Sequence, residues 1–562
     1  MEINKNFYID IIQFKSDNKT VQILIHTRQE KKGSAKISFL VNGREKKYHK
    51  YIRTDFELSK PEKGISHCGY SIEFMPEKEN KKKICNFEII ANGKKQYLYY
   101  TLQSHLSRFP NNYKEQNGFT FNHNDYYITI KPKKFFQNLF RELKFLQGLA
   151  GEYKTKTVWQ IASLRLKIRF WKSFYKKIIN KQNKKILLFS DRLNLAGDNA
   201  EALYRYTAKE NVKKKNANCK FLILPNSADG QRLSREGFSI IEPFSKKHFF
   251  YLFVCDYNIS SSFDSWVYNP FKKYVSKDIP SYFTNLNVSF YFGLLDFKYI
   301  FLGHGPTKND MTGIFRKEIQ NFTKILASNK QEFAEFQKNN YQFNDNEIML
   351  TGLPRFDYLS NKKKENVITI MPTWRKNLLP DKFADGRRIY FDKFKQTDFF
   401  QFYNGILNNK NLLKILEKYN YKLNFILHPA LFGQLKDFKS NSKNVLFPKM
   451  PYNWKEIINQ TKIFITDYSS IAFDFAYTDS CVIYSQFDED TFFKNQKYLE
   501  NSLFTYKANG FGPIFKSIEK VTEKLIEYIK QNGKIEKQYL SRYKKAFPWH
   551  DRNFSKRVCR EL

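Results

Sequence analysis

Residues 463–476 read Ile463-Phe-Ile-Thr-Asp-Tyr-Ser-Ser-Ile-Ala-Phe-Asp-Phe-Ala476. The apolar run from Ile463 to Ile465 predicts a buried strand. It breaks at Thr466-Asp467, and an amphipathic stretch starts at once behind the hydroxyl pair Ser469 and Ser470. Asp, Ser and Thr are strong helix N-caps, so a helix is expected to begin there. A strand running straight into a helix start presents unpaired backbone N–H groups and a positive dipole end at a sheet's carboxyl edge, which suits a phosphate. The plainer alternative is an ordinary strand-to-helix turn of an α/β fold.

The same alternation extends outward from this stretch. From Lys184 onward, short apolar segments alternate with helical ones: Ile186-Leu-Leu-Phe, Phe221-Leu-Ile-Leu, Lys298-Tyr-Ile-Phe-Leu, Ile348-Met-Leu, Val367-Ile-Thr-Ile-Met, Leu423-Asn-Phe-Ile-Leu, Ile463-Phe-Ile and Val482-Ile-Tyr. Such a pattern predicts parallel, doubly wound sheets. The stretch is too long for one sheet of ordinary size, so two Rossmann-like domains are expected, residues 184–362 and 363–562. The division is placed in the polar run Asn361-Lys-Lys-Lys-Glu-Asn366, and the end of the chain reads as helical and basic.

Residues 1–132 read as β. Val21-Gln-Ile-Leu-Ile-His and Lys36-Ile-Ser-Phe-Leu-Val are strand candidates, and Asn42-Gly43 and Asn92-Gly93 are hairpin dipeptides. A small β-sandwich is expected, with no chemistry legible in it. Residues 133–183 change character: Phe135-Phe136, Leu139-Phe140, Leu143, Phe145-Leu146 and Leu149 recur among lysines and arginines, and Leu164-Arg-Leu-Lys-Ile-Arg-Phe-Trp repeats the theme. A basic amphipathic helix of this kind lies on an anionic membrane surface or links two domains.

Lys and Arg number 96 against 55 acidic residues in a chain of 562, a formal charge of +41. The balance implies an anionic partner: a membrane surface, a phosphate-rich substrate or nucleic acid. Hydrophobic residues at 41% exclude global disorder. The six cysteines form no C-x-x-C pair, which speaks against zinc and disulfide scaffolds and fits a reducing cytoplasm. The opening Met1-Glu-Ile-Asn-Lys5 lacks a secretory pattern, and the best apolar run, residues 288–301, is interrupted by Asp296 and Lys298. The chain is expected to lie on a membrane rather than cross it.

Polar residues cluster just past the expected strands: Ser190-Asp191-Arg192, Gly303-His304-Gly305-Pro-Thr-Lys308, Gly352-Leu-Pro-Arg355-Phe-Asp357, Pro372-Thr-Trp-Arg375, His428-Pro429 and Thr466-Asp467-Tyr-Ser469-Ser470. Ligands of open α/β sheets bind at the carboxyl ends of strands. This cationic, donor-rich set suits a diphosphate held between two domains. Each member also has a structural alternative. His304 is either a turn residue or a reachable base, and Arg375 either a salt bridge or a ligand. His428 is either capped or functional, Asp467 a cap or a contact, and Arg355 and Asp357 either pair with each other or serve the site.

Taken together and in order, these motifs resemble the CDP-glycerol glycerophosphotransferase family, which makes teichoic-acid and related capsule polymers. The residues that carry the resemblance are His304-Gly-Pro-Thr-Lys308, Thr351-Gly-Leu-Pro-Arg-Phe-Asp357, Pro372-Thr-Trp-Arg375, Leu427-His-Pro429 and Thr466-Asp-Tyr-Ser-Ser470 with Phe473-Asp474-Phe475. Ser190-Asp-Arg-Leu-Asn-Leu-Ala-Gly-Asp-Asn-Ala, Ser260-Ser-Ser-Phe-Asp-Ser-Trp and Phe511-Gly-Pro513 also fit, so the resemblance covers roughly residues 185–530. The lysine of the histidine motif stands one place earlier than in the better-known wall teichoic acid polymerases, which suggests a capsule-type subgroup.

The resemblance implies a GT-B-like pair of Rossmann-like domains with a cleft between them, behind a small β-sandwich-like domain. It implies transfer of a polyol phosphate, glycerol phosphate foremost, from a CDP-alditol to a hydroxyl of a lipid-linked or polymeric acceptor, with release of CMP. His304 on the acceptor side, Arg375 and His428 become the catalytic expectation. Lys308, Arg355, Thr466, Asp467, Ser469 and Ser470 become the donor- and phosphate-binding one, and Asp474 is expected to be structural. No cofactor or metal is expected, no nucleic acid partner, and a peripheral place on the cytoplasmic face of the membrane. Two other classes remain open: a nucleotide-sugar glycosyltransferase on the same fold, and a non-catalytic binder of membrane or nucleic acid, whose binding would depend steeply on salt.

Overall fold

The computed structural model describes residues 7–15, 17, 19–30, 36–52, 65–79, 84–96, 98–100, 113–116, 119–124, 127–132, 155–181, 184–214, 216–264, 267, 294–295, 297–320, 322–360, 364–378, 391–449, 452–496 and 503–562. Packing divides the chain into two units. One comprises Met1–Gly303, Met311–Leu326 and Phe336–Met349, and the other His304–Asp310, Ala327–Glu335 and Leu350–Leu562. The sequence reading puts the division at 362/363 and keeps His304 with the earlier domain. Packing instead puts it at 349/350 and takes residues 304–310 with the later unit. Residues 361–363 of the expected boundary lie outside the described residues, as does the basic segment before 155.

The first unit opens with two sheets. One has the strand order Tyr48–Ile52, Ile65–Phe74, Val21–Glu30, Phe7–Phe14, Leu98–Tyr100. The other is built around Cys85–Ala91, which pairs antiparallel with Ile37–Val41 and Tyr127–Pro132. Side chains at every second position, Val21, Ile23 and Ile25 from one sheet and Phe87 and Ile89 from the other, share one core. Period-two burial on both inner faces is what a sandwich requires. Both hairpins form at the expected dipeptides, with φ of +49° and +77° at Asn42-Gly43 and +49° and +74° at Asn92-Gly93. Positive φ at both central residues matches the twist of the flanking strands, and Asn-Gly tolerates it.

A long helix, Thr155–Phe174, continues into a wider turn at Tyr175–Ile179. It is not the simple amphipathic helix expected. Arg165 is buried, whereas Trp159 is 72% exposed and Leu166, Phe170, Trp171, Ile178 and Ile179 also face outward. Its end is fastened by Lys176 to Asp256 at 3.0 Å and by the Tyr175 ring against Phe250. No helix among the described residues is long and apolar enough to cross a membrane.

The seven-stranded sheet that follows has the order Ile240–Ile241, Ala217–Leu222, Lys185–Ser190, Tyr257–Ser260, Lys298–Phe301, Lys324–Ala327, Ile348–Leu350. The second unit repeats the plan with Val445–Leu446, Lys422–Phe425, Val367–Ile370, Thr461–Thr466, Cys481–Ser485, Ile514–Phe515. In each sheet the chain starts in the middle, winds to one edge and returns to wind to the other. This doubly wound order creates a switch point between the first and fourth strands, outside their carboxyl ends. The second core, with Ile368, Ile370, Phe425, Ile463, Ile465 and Ile483, is sealed by Phe399, Phe400 and Tyr403 of Asp398–Leu407 and by Val521 and Leu525 of Ile518–Lys530. Below this sheet Lys364 Nζ donates to the Ile458 and Thr461 carbonyls and to the Thr478 and Ser480 hydroxyls, at 2.6–3.0 Å.

Candidate functional site

The switch point of the second unit lies past Ile370 and Thr466, where the chain places Thr373, Trp374, Arg375, Asp467 and the two serines. Asp467 is fully buried and accepts from the Thr373 N–H at 2.8 Å, the Tyr468 N–H at 2.6 Å and the Tyr403 hydroxyl at 3.2 Å. Arg375, 3% exposed, donates from Nε and Nη2 to both oxygens of Asp488 at 2.6 and 3.0 Å. Its Nη2 also lies 2.8 Å from Asp467, and Nη1 donates to the Thr373 carbonyl at 2.6 Å. The rings of Phe399, Tyr468, Phe487 and Phe492 surround it at 4.8–5.8 Å. Burial works against the charge, but Asp467 and Asp488 outweigh it and keep the guanidinium more firmly protonated than an ordinary arginine.

Arg375, expected as a catalytic residue, is here enclosed by rings with its fork on two carboxylates, and it ties the two loops together. Thr466, expected to bind the donor, is buried and its hydroxyl donates to the Met371 carbonyl at 2.7 Å. The helix start is also displaced. Asp467 reaches back across the sheet rather than capping, and the short helix Ala472–Tyr477 begins after Ile471 without a side-chain cap. Ser469 and Ser470 are left half-buried in the turn before it.

The histidine loop packs against that turn. Arg355 forks onto Asp474 through Nε–Oδ1 at 2.6 Å and Nη2–Oδ2 at 2.7 Å, and its Nη1 donates to the His304 carbonyl. Arg355 therefore pairs with Asp474, not Asp357, and its charge is engaged in holding the loop. Asp357 instead accepts from the Phe554 and Ser555 N–H groups at 2.8 and 2.9 Å, at the start of Phe554–Glu561. Gly305 sits so close to the turn that a Cβ would fall 3.1 Å from Ser470 Oγ and 3.4 Å from Arg355 Nη2. Glu332 fixes the far side, accepting from the Thr307 N–H and from the Ser328 N–H and hydroxyl, each at 2.6 Å. Burial raises the Glu332 carboxyl above its usual range, against those bonds.

Lys308 closes the loop. It is 7% exposed, with Nζ 3.2 Å from Asn309 Oδ1 and 5.2 Å over the Tyr506 ring. Burial pushes its ammonium down to about 7, and the charge of Asp467 opposes the shift. His428 caps the short helix Pro429–Asp437: its Nδ1 accepts from the Ala430 N–H at 3.2 Å, and its ring lies 6.2 Å from Trp374. An acceptor Nδ1 puts the proton of the neutral ring on Nε2, which makes that edge a donor.

The first unit has a parallel arrangement at its own switch point. Asp191 is buried and accepts from the Ala200, Glu201 and Asp198 N–H groups at 2.9–3.1 Å, capping Asn199–Lys214. Burial, reinforced by Asp198, pushes its carboxyl up to about 7. Asn199 Nδ2 donates to the Gly303 carbonyl at 2.9 Å.

Two residues of the site were not singled out from the sequence. Asp488 lies in Phe487-Asp-Glu-Asp just past Cys481–Ser485, and the criterion used for the other loops would have found it. Glu332 follows Asn329 by three places at the start of Lys330–Phe336, a capping-box spacing.

A family model described as CDP-Glycerol:Poly(glycerophosphate) glycerophosphotransferase matches residues 172–562. The chain is 32% identical over 502 residues to the minor teichoic acid biosynthesis protein GgaB of Bacillus subtilis (strain 168), covering 88% of this chain and 51% of that protein. It is 28% identical over 233 residues to the teichoic acid poly(glycerol phosphate) polymerase of the same organism, covering 39% of this chain and 28% of that protein. The chain thus spans about half, or less, of the length of these relatives. Among solved structures, that of the wall teichoic acid polymerase TagF aligns with a TM-score of 0.47 at 15% identity, covering 72% of this chain and 97% of that one. With the model matched across both doubly wound sheets and every motif of the site inside it, this chain belongs to the CDP-glycerol:poly(glycerophosphate) glycerophosphotransferase family.

Proposed function

We propose that this chain transfers a polyol phosphate, glycerol phosphate foremost, from a CDP-alditol to a hydroxyl of a growing teichoic-acid-type polymer. The acceptor oxygen attacks the β-phosphorus of the donor. A P–O bond forms, the anhydride P–O bond breaks and CMP leaves, while the hydroxyl proton passes to His304. Lys308, the Nε2 edge of His428 and the hydroxyls of Ser469 and Ser470 hold the diphosphate and meet the charge developing on the leaving oxygen. Arg355 with Asp474, Arg375 with Asp467 and Asp488, and Glu332 keep these groups in place.

The observation that carries this reading is the contact of Gly305 with Ser470, which joins the histidine loop to the hydroxyl turn at a doubly wound switch point. Purified protein incubated with CDP-glycerol, CDP-ribitol and a polymer primer should release CMP. His304→Ala should lower turnover by at least ~100-fold without changing the melting temperature. Release of a nucleoside diphosphate from a nucleotide sugar, without CMP, would refute the reading in favour of glycosyl transfer.

The same reading places the enzyme peripherally on the cytoplasmic face of a membrane, beside a lipid-linked or polymeric acceptor; a capsule-type polymer falls within this chemistry. The support is the helix Thr155–Phe174, which turns Trp159, Leu166, Phe170 and Trp171 outward among Lys167, Lys177 and Lys181. Exposed rings interspersed with lysines suit an anionic interface.

A further inference from the structure

A groove of about 580 Å³ opens at the amino-terminal edge of the first parallel sheet, beside the end of the long helix. Its wall includes Lys181, Lys184, Tyr175, Asn218, Ser239 and Ile179, and among the described residues no carboxylate lines it. Neither lysine ammonium has a partner among the described residues. Ser239 Oγ accepts from Lys220 Nζ at 2.7 Å, so the hydroxyl has its proton left to give. The Tyr175 phenol lines the same wall and offers its O–H. Two lysine ammonium groups beside hydroxyl donors, with no carboxylate among the described lining residues, make an anion site. Burial lowers the Lys220 ammonium, and Lys247 adds to the local positive field.

The groove also has an apolar lip. Ile179 lines it, is 59% exposed, and continues through Ile178 onto the outward Trp171 and Phe170 of the helix. A free phosphate makes no use of such a lip, whereas a phosphate esterified to acyl chains needs both parts. We infer that this groove holds the headgroup phosphate of an anionic phospholipid, with Ile178, Ile179 and the helix rings in the acyl boundary. The site lies at the opposite edge of the strands from Asp191, so lipid capture leaves the carboxyl-end loops uncovered. The inference rests on the membrane-surface reading above and names its ligand.

The test uses the full chain in flotation assays with vesicles of phosphatidylcholine alone or mixed with phosphatidylglycerol. Tyr175→Phe combined with Ser239→Ala removes two donors at constant charge and nearly constant volume. It should weaken binding to the phosphatidylglycerol vesicles about tenfold. Lys181→Gln/Lys184→Gln should weaken it more than Lys167→Gln/Lys177→Gln, which removes equal charge from the helix face. Short-chain dihexanoyl phosphatidylglycerol, kept below its micelle concentration, should displace the protein at lower concentration than inorganic phosphate. If Tyr175→Phe/Ser239→Ala binds as the wild type does, the groove assignment is overturned while the helix reading stands. If wild-type protein floats with neither vesicle, the membrane reading falls with it. Equal displacement by inorganic phosphate would make the groove a general anion site and overturn the lipid assignment.

Discussion

Arg375→Met distinguishes an organising guanidinium from a substrate ligand. Arg375 meets Asp467 and Asp488 at 2.6–3.0 Å inside a ring of aromatic side chains. Methionine fills much of the same volume and leaves both carboxylates without this counter-charge. Removing one partner of a buried pair costs about 3–5 kcal/mol, and two carboxylates on one cation place the expected loss near the upper end at neutral pH. A stranded carboxylate relieves the penalty by taking up a proton. In the variant, therefore, the folded state binds protons more readily than the unfolded state, and stability falls as pH rises. Urea unfolding followed by circular dichroism should show a large deficit at neutral pH that narrows toward about pH 5. CDP-glycerol binding by calorimetry supplies the second readout. A variant that unfolds like the wild type but no longer binds CDP-glycerol would show that the guanidinium touches the donor and that the organising argument is wrong.

The remaining predictions concern the histidine loop. Burial holds the Lys308 ammonium at about 7 in the free protein, and a bound diphosphate favours its charged form. CDP-glycerol binding should therefore take up protons between about pH 7 and 10, and less as the pH falls below about 7; calorimetry in buffers of different ionisation enthalpy that finds no uptake would count against a phosphate role. Gly305→Ala forces a Cβ to 3.1 Å from Ser470 Oγ; turnover should drop about tenfold for a stability cost of ~1 kcal/mol, and full activity would mean that the contact is not needed. Glu332→Ala leaves the Thr307 N–H and the Ser328 N–H and hydroxyl without their acceptor. It should cost about 1–3 kcal/mol and lower kcat more than it raises KM; an unchanged kcat in a destabilised protein would limit Glu332 to the fold.

Much of the framework was legible because it depends on local patterns. Alternating apolar and amphipathic stretches identify both doubly wound sheets, and Asn42-Gly43 and Asn92-Gly93 mark hairpins of the antiparallel sandwich before them. The strands missed include Ile240–Ile241, Val445–Leu446 and Ile514–Phe515, which at two residues each are too short to show a period, and also the four-residue strands Tyr257–Ser260 and Lys324–Ala327. The positions of the site loops could be read, but the partners of their charges could not. Arg375 looks the same in sequence whether it faces a phosphate or Asp488, which lies 113 residues away. Asp467 has the composition of a cap, yet its carboxylate turns to Thr373 because a buried cation sits on that side. Asp474 was read as structural and forks onto Arg355. The long helix misled in the opposite way: its basic and apolar residues were read correctly, but Arg165 points inward and Trp159 outward.

The polar ties of the second unit have a kinetic side. Arg355 and Asp474 are 119 residues apart, Lys364 and Ser480 116, and Asp357 and Ser555 198. None can form until the intervening chain has closed, and contacts of such separation belong to slow-folding topologies. Local helices and hairpins gain nothing from these charges on the way. The Arg355–Asp474 fork that steadies the histidine loop therefore joins late, together with the sheet it spans, so no early, partly collapsed species carries an assembled site. On refolding, recovery of activity is coupled to the slowest structural phase of this unit, and a fragment ending between the partners of any tie would hold one half of it with nothing to bind.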